Sequence, residues 1–152
     1  MKRRAFGWML LPVLLMSLPS FAGETDEAEV KKIAGTWRFV SLESDGQKAP
    51  DDVIKDWRWK VEGKEITWSD PQHGDTKTSL EVDASKSPKA LDLTSTDPKA
   101  KGKLFKCIYE FNGERLRICI PEGKQAENDR PRPVEFSGGQ GMSLLVLERV
   151  KD

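Results

Sequence analysis

The side chains able to do chemistry are few, and their spacing nominates no reaction. The chain has two cysteines and one histidine. Zinc sites take three or four protein ligands, so Cys₄ and Cys₂His₂ centres are excluded. His73 lies in Ser69-Asp70-Pro71-Gln72-His73-Gly74-Asp75, which reads as a turn with an exposed imidazole rather than a metal site. Asp51-Asp52 and Glu62/Glu65 are carboxylate pairs. Glycosidase-type catalysis needs its two carboxylates across a cleft with separated pKa values, and adjacent surface acids do not supply that. The serines are not set in a Gly-x-Ser-x-Gly elbow. Gly138-Gly139-Gln140-Gly141 is followed by an apolar strand pattern, whereas a phosphate cradle needs a helix there, so it reads as a hairpin loop. No catalytic residue, metal ligand or cofactor is expected.

Cys107 and Cys119 flank the turn signal Asn112-Gly113. With those two residues as the turn, Cys107 falls opposite Ile118. Cys107 then sits on the Phe105/Tyr109 face as a small core residue, and Cys119 sides with Arg115 and Arg117 as a partly exposed thiol. A slip of one residue would reverse one strand's facing and allow a cross-strand disulfide. Both states stay open at this point.

The aromatic residues carry the most information. Trp57, Trp59 and Trp68 fall on one face of a single hairpin, and Phe105, Tyr109 and Phe111 on another. In a small barrel such residues either fill the interior or line one ligand cavity. Trp57, Trp59, Trp68, Phe105 and Tyr109 are therefore the candidate ligand-binding set.

Alternation dominates the elements that must position these residues. Trp37, Phe39 and Ser41 oppose Arg38, Val40 and Leu42; Trp57, Trp59 and Val61 alternate with charged residues; Ile66 and Trp68 follow a turn at Gly63-Lys64. Leu80 and Val82, Leu91 and Leu93, Phe105 to Phe111, Leu116 to Ile120, Val134 and Phe136, and Met142 to Val150 continue the pattern. Eight or nine short strands at regular spacing, each with one apolar face, predict an all-β antiparallel sandwich or barrel. Asp26–Ala34 is the one clear helix, with Asp26 and Glu29 spaced as a capping box and Gly35 as its stop. A short helical turn is expected over Pro50–Lys55.

The chain is 152 residues long, enough for one domain. Lys2, Arg3 and Arg4 precede an apolar run from Ala5 to Leu18, and Ser20-Phe21-Ala22 offers small residues for a cut after Ala22. That is the plan of a signal peptide, and the run is short for a spanning helix. The expected organisation is a signal peptide at 1–22, a linker and helix at 23–34, and a barrel domain at 35–152. An uncleaved N-terminal anchor is the alternative. The expected destination is the periplasm or the exterior, with no membrane span after cleavage. Removing the leader's three basic residues from 25 leaves 22 against 25 acidic ones. That slightly acidic balance argues against a nucleic-acid partner.

Gly35-Thr36-Trp37 at the start of the first strand, with Arg149 in the last, resembles the lipocalin and calycin pattern. The resemblance implies that Trp37 and Arg149 form a structural cation–π pair at one barrel end. A broader likeness runs through Gly35–Val40, Asp45–Pro50, Ser87–Leu93, Ile108–Cys119 and Arg132–Phe136. In that order these segments resemble the planctomycete-type domain of unknown function, a family of small, often exported, lipocalin-like bacterial proteins. Cys107 departs from that pattern. The resemblance implies an up-and-down lipocalin-like barrel of 8–9 strands and brings no catalytic residues.

Three functional readings follow. The first is non-catalytic binding of a small apolar or amphipathic ligand in the barrel. The second is a cell-envelope protein-interaction module with a filled barrel, using a loop such as Asp129 to Pro133. The third is a hydrolytic enzyme. A void of roughly 300 Å³ or more, lined by aromatics, separates the first from the second.

Overall fold

A computed structural model describes residues 22–122 and 130–151. Residues 1–21, which hold nearly all of the expected signal peptide, lie outside them, as does Asp129 of the polar loop. The alternating pattern becomes a single antiparallel sheet. Its strands are β1 (Gly35–Ser44), β2 (Gln47–Lys48), β3 (Arg58–Glu62), β4 (Glu65–Asp70), β5 (Gly74–Asp83), β6 (Lys89–Ser95), β7 (Leu104–Asn112), β8 (Arg115–Pro121) and β9 (Met142–Arg149). From β3 to β9 each strand pairs with the next in sequence, and β1 pairs with both β3 and β9. Eight strands thus close an up-and-down β-barrel, and the two-residue β2 is an extra strand on β1. Closure removes the sheet edges that an open meander would expose.

Two helices complete the fold. The first, α1 (Ala22–Ile33), precedes β1 and begins earlier than the capping-box reading places it. Asp26 is not an N-cap: its Oδ1 accepts the Ala84 N–H at 2.9 Å and ties the helix to the β5–β6 connection. The second, α2 (Asp51–Ile54), is the expected turn, with Pro50 at its N-cap, and it buries Ile54.

Two local registers depart from simple alternation. β1 carries an irregularity between Phe39 and Ser41, so that Phe39 stands opposite Leu147 while Leu42 stands opposite Leu145. One extra residue in a strand shifts its later side chains to the other face. Leu42 therefore joins the interior instead of facing away from Trp37 and Phe39. In the β7–β8 hairpin, Asn112 is paired with Arg115, so the turn is Gly113-Glu114, with Gly113 at φ +63°. Cys119 consequently faces Ile108, and Tyr109 faces Ile118.

The interior holds Trp37, Phe39, Trp59, Leu91, Cys107, Tyr109, Leu116, Ile118, Leu145 and Leu147 among others. A second apolar layer lies outside the barrel. Ala90, Ile108 and Cys119 are neighbours along one outward-facing row, and all three are buried. The segment from 130 to 141 is fastened over this side of the barrel. Arg132 donates to the Cys107 carbonyl at 2.7 Å and pairs with Asp92, and the Cys119 thiol points to the Ser137 carbonyl at 3.3 Å. Arg117 stacks on Phe136, 5.0 Å from the ring centroid. The glycine-rich stretch is pinned as well. Gly138 accepts from the Gly46 N–H and lies against Glu43, where a Cβ would come within 2.6 Å of that side chain. It is the end of this strap rather than a hairpin loop.

Cys107 faces inward and Cys119 outward, so the hairpin holds them on opposite sides and both are free. Cys119 is fully buried, not partly exposed, because the strap covers it.

Candidate functional site

The barrel has one shut end and one hollow end. At the shut end Trp37 and Arg149 are cross-strand partners, and the guanidinium lies 4.3 Å from the indole centroid. The Trp37 Nε1–H donates to the Ile33 carbonyl at 2.8 Å. Arg149 donates to the Ala34 and Lys32 carbonyls at 2.5 and 2.6 Å, satisfying acceptors that the end of a helix leaves open. Gly35 has φ +123°, and a Cβ there would meet the guanidinium at 2.5 Å. The glycine in Gly35-Thr36-Trp37 thus makes room for the arginine.

Glu29 of α1 is buried beside this end. Its Oε2 accepts from the Tyr109 hydroxyl at 2.9 Å, and its Oε1 meets Lys32 and Lys89 at 3.0 Å each. Burial pushes its pKa up, but the hydrogen bonds from Lys89, Lys32 and Tyr109 outweigh that and hold it below the ordinary value. Burial raises the Tyr109 phenol, and its bond to the Glu29 carboxylate adds to the effect.

The opposite half of the barrel contains a cavity of about 460 Å³. All eight barrel strands, or residues directly at their ends, contribute to its wall. Trp57, Trp59, Trp68 and Phe105 line it, four of the five residues expected there. Tyr109 does not. It lies two inward positions further along β7 from Phe105, and its hydroxyl is committed to Glu29. The three tryptophans gather around Phe39, whose ring centroid lies 5.5, 6.2 and 5.2 Å from those of Trp57, Trp59 and Trp68. Trp57 and Trp59 stand 5.6 and 5.7 Å from Trp68. Such tilted and edge contacts suit the ring quadrupoles and hold the wall together. Trp59 Nε1 is buried without a hydrogen-bond partner among the described residues.

The polar part of the wall is confined to a few groups. Glu122 follows β8, Ser143 lies in the first turn of alternation of β9, and Thr78 is on β5. Ser44 Oγ hydrogen-bonds Ser143 Oγ and lies 3.4 Å from Glu122 Oε1. These residues were not among the expected set, yet a signal for them exists. Extending the inward parity of Leu116, Ile118 and Ile120 leads to Glu122, and that of Leu147 and Leu145 leads to Ser143.

The other chemistry-bearing residues stay apart from the cavity. His73 is exposed and its Nδ1 lies 2.6 Å from Asp70 Oδ2, a local turn contact that lowers the Asp70 pKa. Among the described residues no group of three or more His, Cys, Asp or Glu is placed to hold a metal ion. No helix among them is long and apolar enough to cross a membrane.

Fold and site together define a closed eight-stranded antiparallel β-barrel, shut at one end by a helix and a Trp–Arg pair, with an aromatic cavity in the other half. No protein-family model matches the chain, and no curated protein or solved structure matches it.

Proposed function

We propose that this is an exported lipocalin-like protein, of the planctomycete-type domain it resembles, that binds a small amphipathic molecule in its barrel without transforming it. The observation that carries the reading is the cavity of about 460 Å³ walled by Trp57, Trp59, Trp68 and Phe105. Its volume falls within the range of small-molecule sites, and its wall is mostly apolar with a few polar groups, as such sites require. A filled-barrel interaction module would have side chains where this space is.

Burial of the ligand's apolar surface supplies the affinity, at about 25 cal/mol per Å². The indole rings are large and held by mutual contact, so little side-chain freedom is lost on binding. The segment between β1 and β3, which carries β2 and α2, starts and ends at the hollow end. It is the element placed to control access.

Native mass spectrometry of the protein recovered from the envelope or medium of its own host tests both halves of the reading. Export with cleavage predicts a chain beginning at Gly23, whereas a mass retaining residues 1–22 refutes it. Binding predicts a reproducible small-molecule adduct, lost on unfolding and lost in Leu145→Trp, which places an indole in the cavity. A bare mass from gently handled protein refutes ligand binding.

A further inference from the structure

We infer that the cavity is selective for an organic cation, an amphiphile with an alkylammonium or similar head, over a carboxylate-headed one. This rests on the ligand-binding reading above and adds the charge of the ligand to it. Two features of the wall carry it.

The first is its single charge. Among the described residues lining the cavity, Glu122 is the only charged one. Two guanidinium groups keep their charge but are held on backbone carbonyls. Arg58 Nη1 donates to the Lys55 and Trp57 carbonyls at 2.8 Å each, and Arg130 Nη1 donates to the Gly141 carbonyl at 2.7 Å. Neither lines the cavity. A carboxylate-headed ligand would bring a second negative charge toward Glu122, with no basic side chain among the described lining residues, in surroundings of lower dielectric than water.

The second is the tryptophan wall. Trp57, Trp59 and Trp68 present three indoles to one space, and indole is the aromatic ring most attractive to a cation over its face. Ser44 and Ser143 help to hold Glu122 on the cavity side, the former 3.4 Å from its Oε1. An ammonium head placed between the indoles and this carboxylate meets complementary charge on both sides, while its alkyl tail lies against Leu93, Phe105 and Leu145.

The test is a set of calorimetric titrations of the mature protein at moderate salt with decyltrimethylammonium, decanol and decanoate, each below its micelle concentration. The chains match and only the head differs. The expected order is cation tightest, with a Kd about tenfold below that of decanoate. Glu122→Gln should abolish most of that preference, while Glu81→Gln, which removes the same charge from the exposed side of β5, should leave it. A Glu122→Gln preference equal to that of the parent overturns the assignment to Glu122. Equal binding of all three ligands, or tighter binding of decanoate, overturns the charge selectivity while leaving the binding reading intact. Failure of all three to bind overturns both.

Discussion

Arg149 lies over Trp37 with its guanidinium carbon 4.3 Å from the ring centroid, and from there it reaches the carbonyls of Lys32 and Ala34. One side chain thus joins the last strand, the first strand and the helix. Lysine keeps the charge but not the planar fork that makes both bonds at once. Arg149→Lys should therefore lower the melting temperature, and Arg149→Met should lower it further. Thermal unfolding followed by circular dichroism checks the order; equal Tm values for the three proteins would refute the arginine's role as a fastener.

Gly35 is tied to the same contact. An alanine there must hold φ near +123° or displace the guanidinium that occupies the space of its Cβ. Gly35→Ala should cost roughly 1–3 kcal/mol, the range for a side chain forced into a sparsely populated backbone region. Urea unfolding measures it. Gly35→Ala in an Arg149→Met background should cost less, because the steric part is gone.

Glu29 predicts the acid limb of stability. Its folded pKa lies below the ordinary 4.5, so the folded state favours the ionised form more than the unfolded chain does. The stabilisation is present above about pH 4.5 and is lost as pH falls through the lower, folded value. Glu29→Gln should be less stable at neutral pH and should lose part of its pH dependence below that point. A stability profile parallel to the parent's from pH 6 to 3 would show that the carboxylate is not linked to folding.

The cysteines predict a chemical result. Facing opposite sides of one hairpin, they should remain two free thiols even under oxidising conditions. Burial raises both thiol pKa values, which slows their reaction in the folded protein. Unfolding in an alkylating reagent without reductant should add two adducts; a protein that adds none carries a disulfide and contradicts the hairpin facing.

The strap predicts a difference between the two thiols. Arg132 fastens it to Asp92 and the Cys107 carbonyl, and it covers Cys119 from outside. Arg132→Ala should speed native-state alkylation of Cys119 severalfold and leave Cys107, inside the barrel, unchanged. Peptide mapping after timed labelling reads the two sites separately, and equal acceleration at both would mean that the barrel itself had loosened.

Much of the site was legible in the residues because strand alternation is local. The inward row Trp57, Trp59 and Val61 needs only the period of two, and Trp57, Trp59, Trp68 and Phe105 all line the cavity. Leu42 was misplaced because one irregularity in β1 changes parity, and nothing in Val40-Ser41-Leu42 announces it. The turn moved from Asn112-Gly113 to Gly113-Glu114, which changed every partner in the hairpin but left each side chain on its expected face. Burial of Cys119 depends on a segment more than ten residues away in sequence.

The residue pattern sufficed for the all-β class and for most strands and their apolar faces, since these follow from hydrophobic period and turn chemistry between near neighbours, but Val134 and Phe136, expected in a strand, lie in the strap. It also placed Trp37 and Arg149 as candidates for one contact, through a resemblance. That the interior is hollow in one half and filled in the other follows from packing between residues distant in sequence. Every inward row contains large side chains, and whether they meet depends on the barrel's closure, the bulge in β1 and the helix at one end. Tyr109 shows the difference plainly. Its parity matches Phe105, but its position along β7 sets it against Glu29 of α1, and a period of two carries no information about depth along the barrel axis.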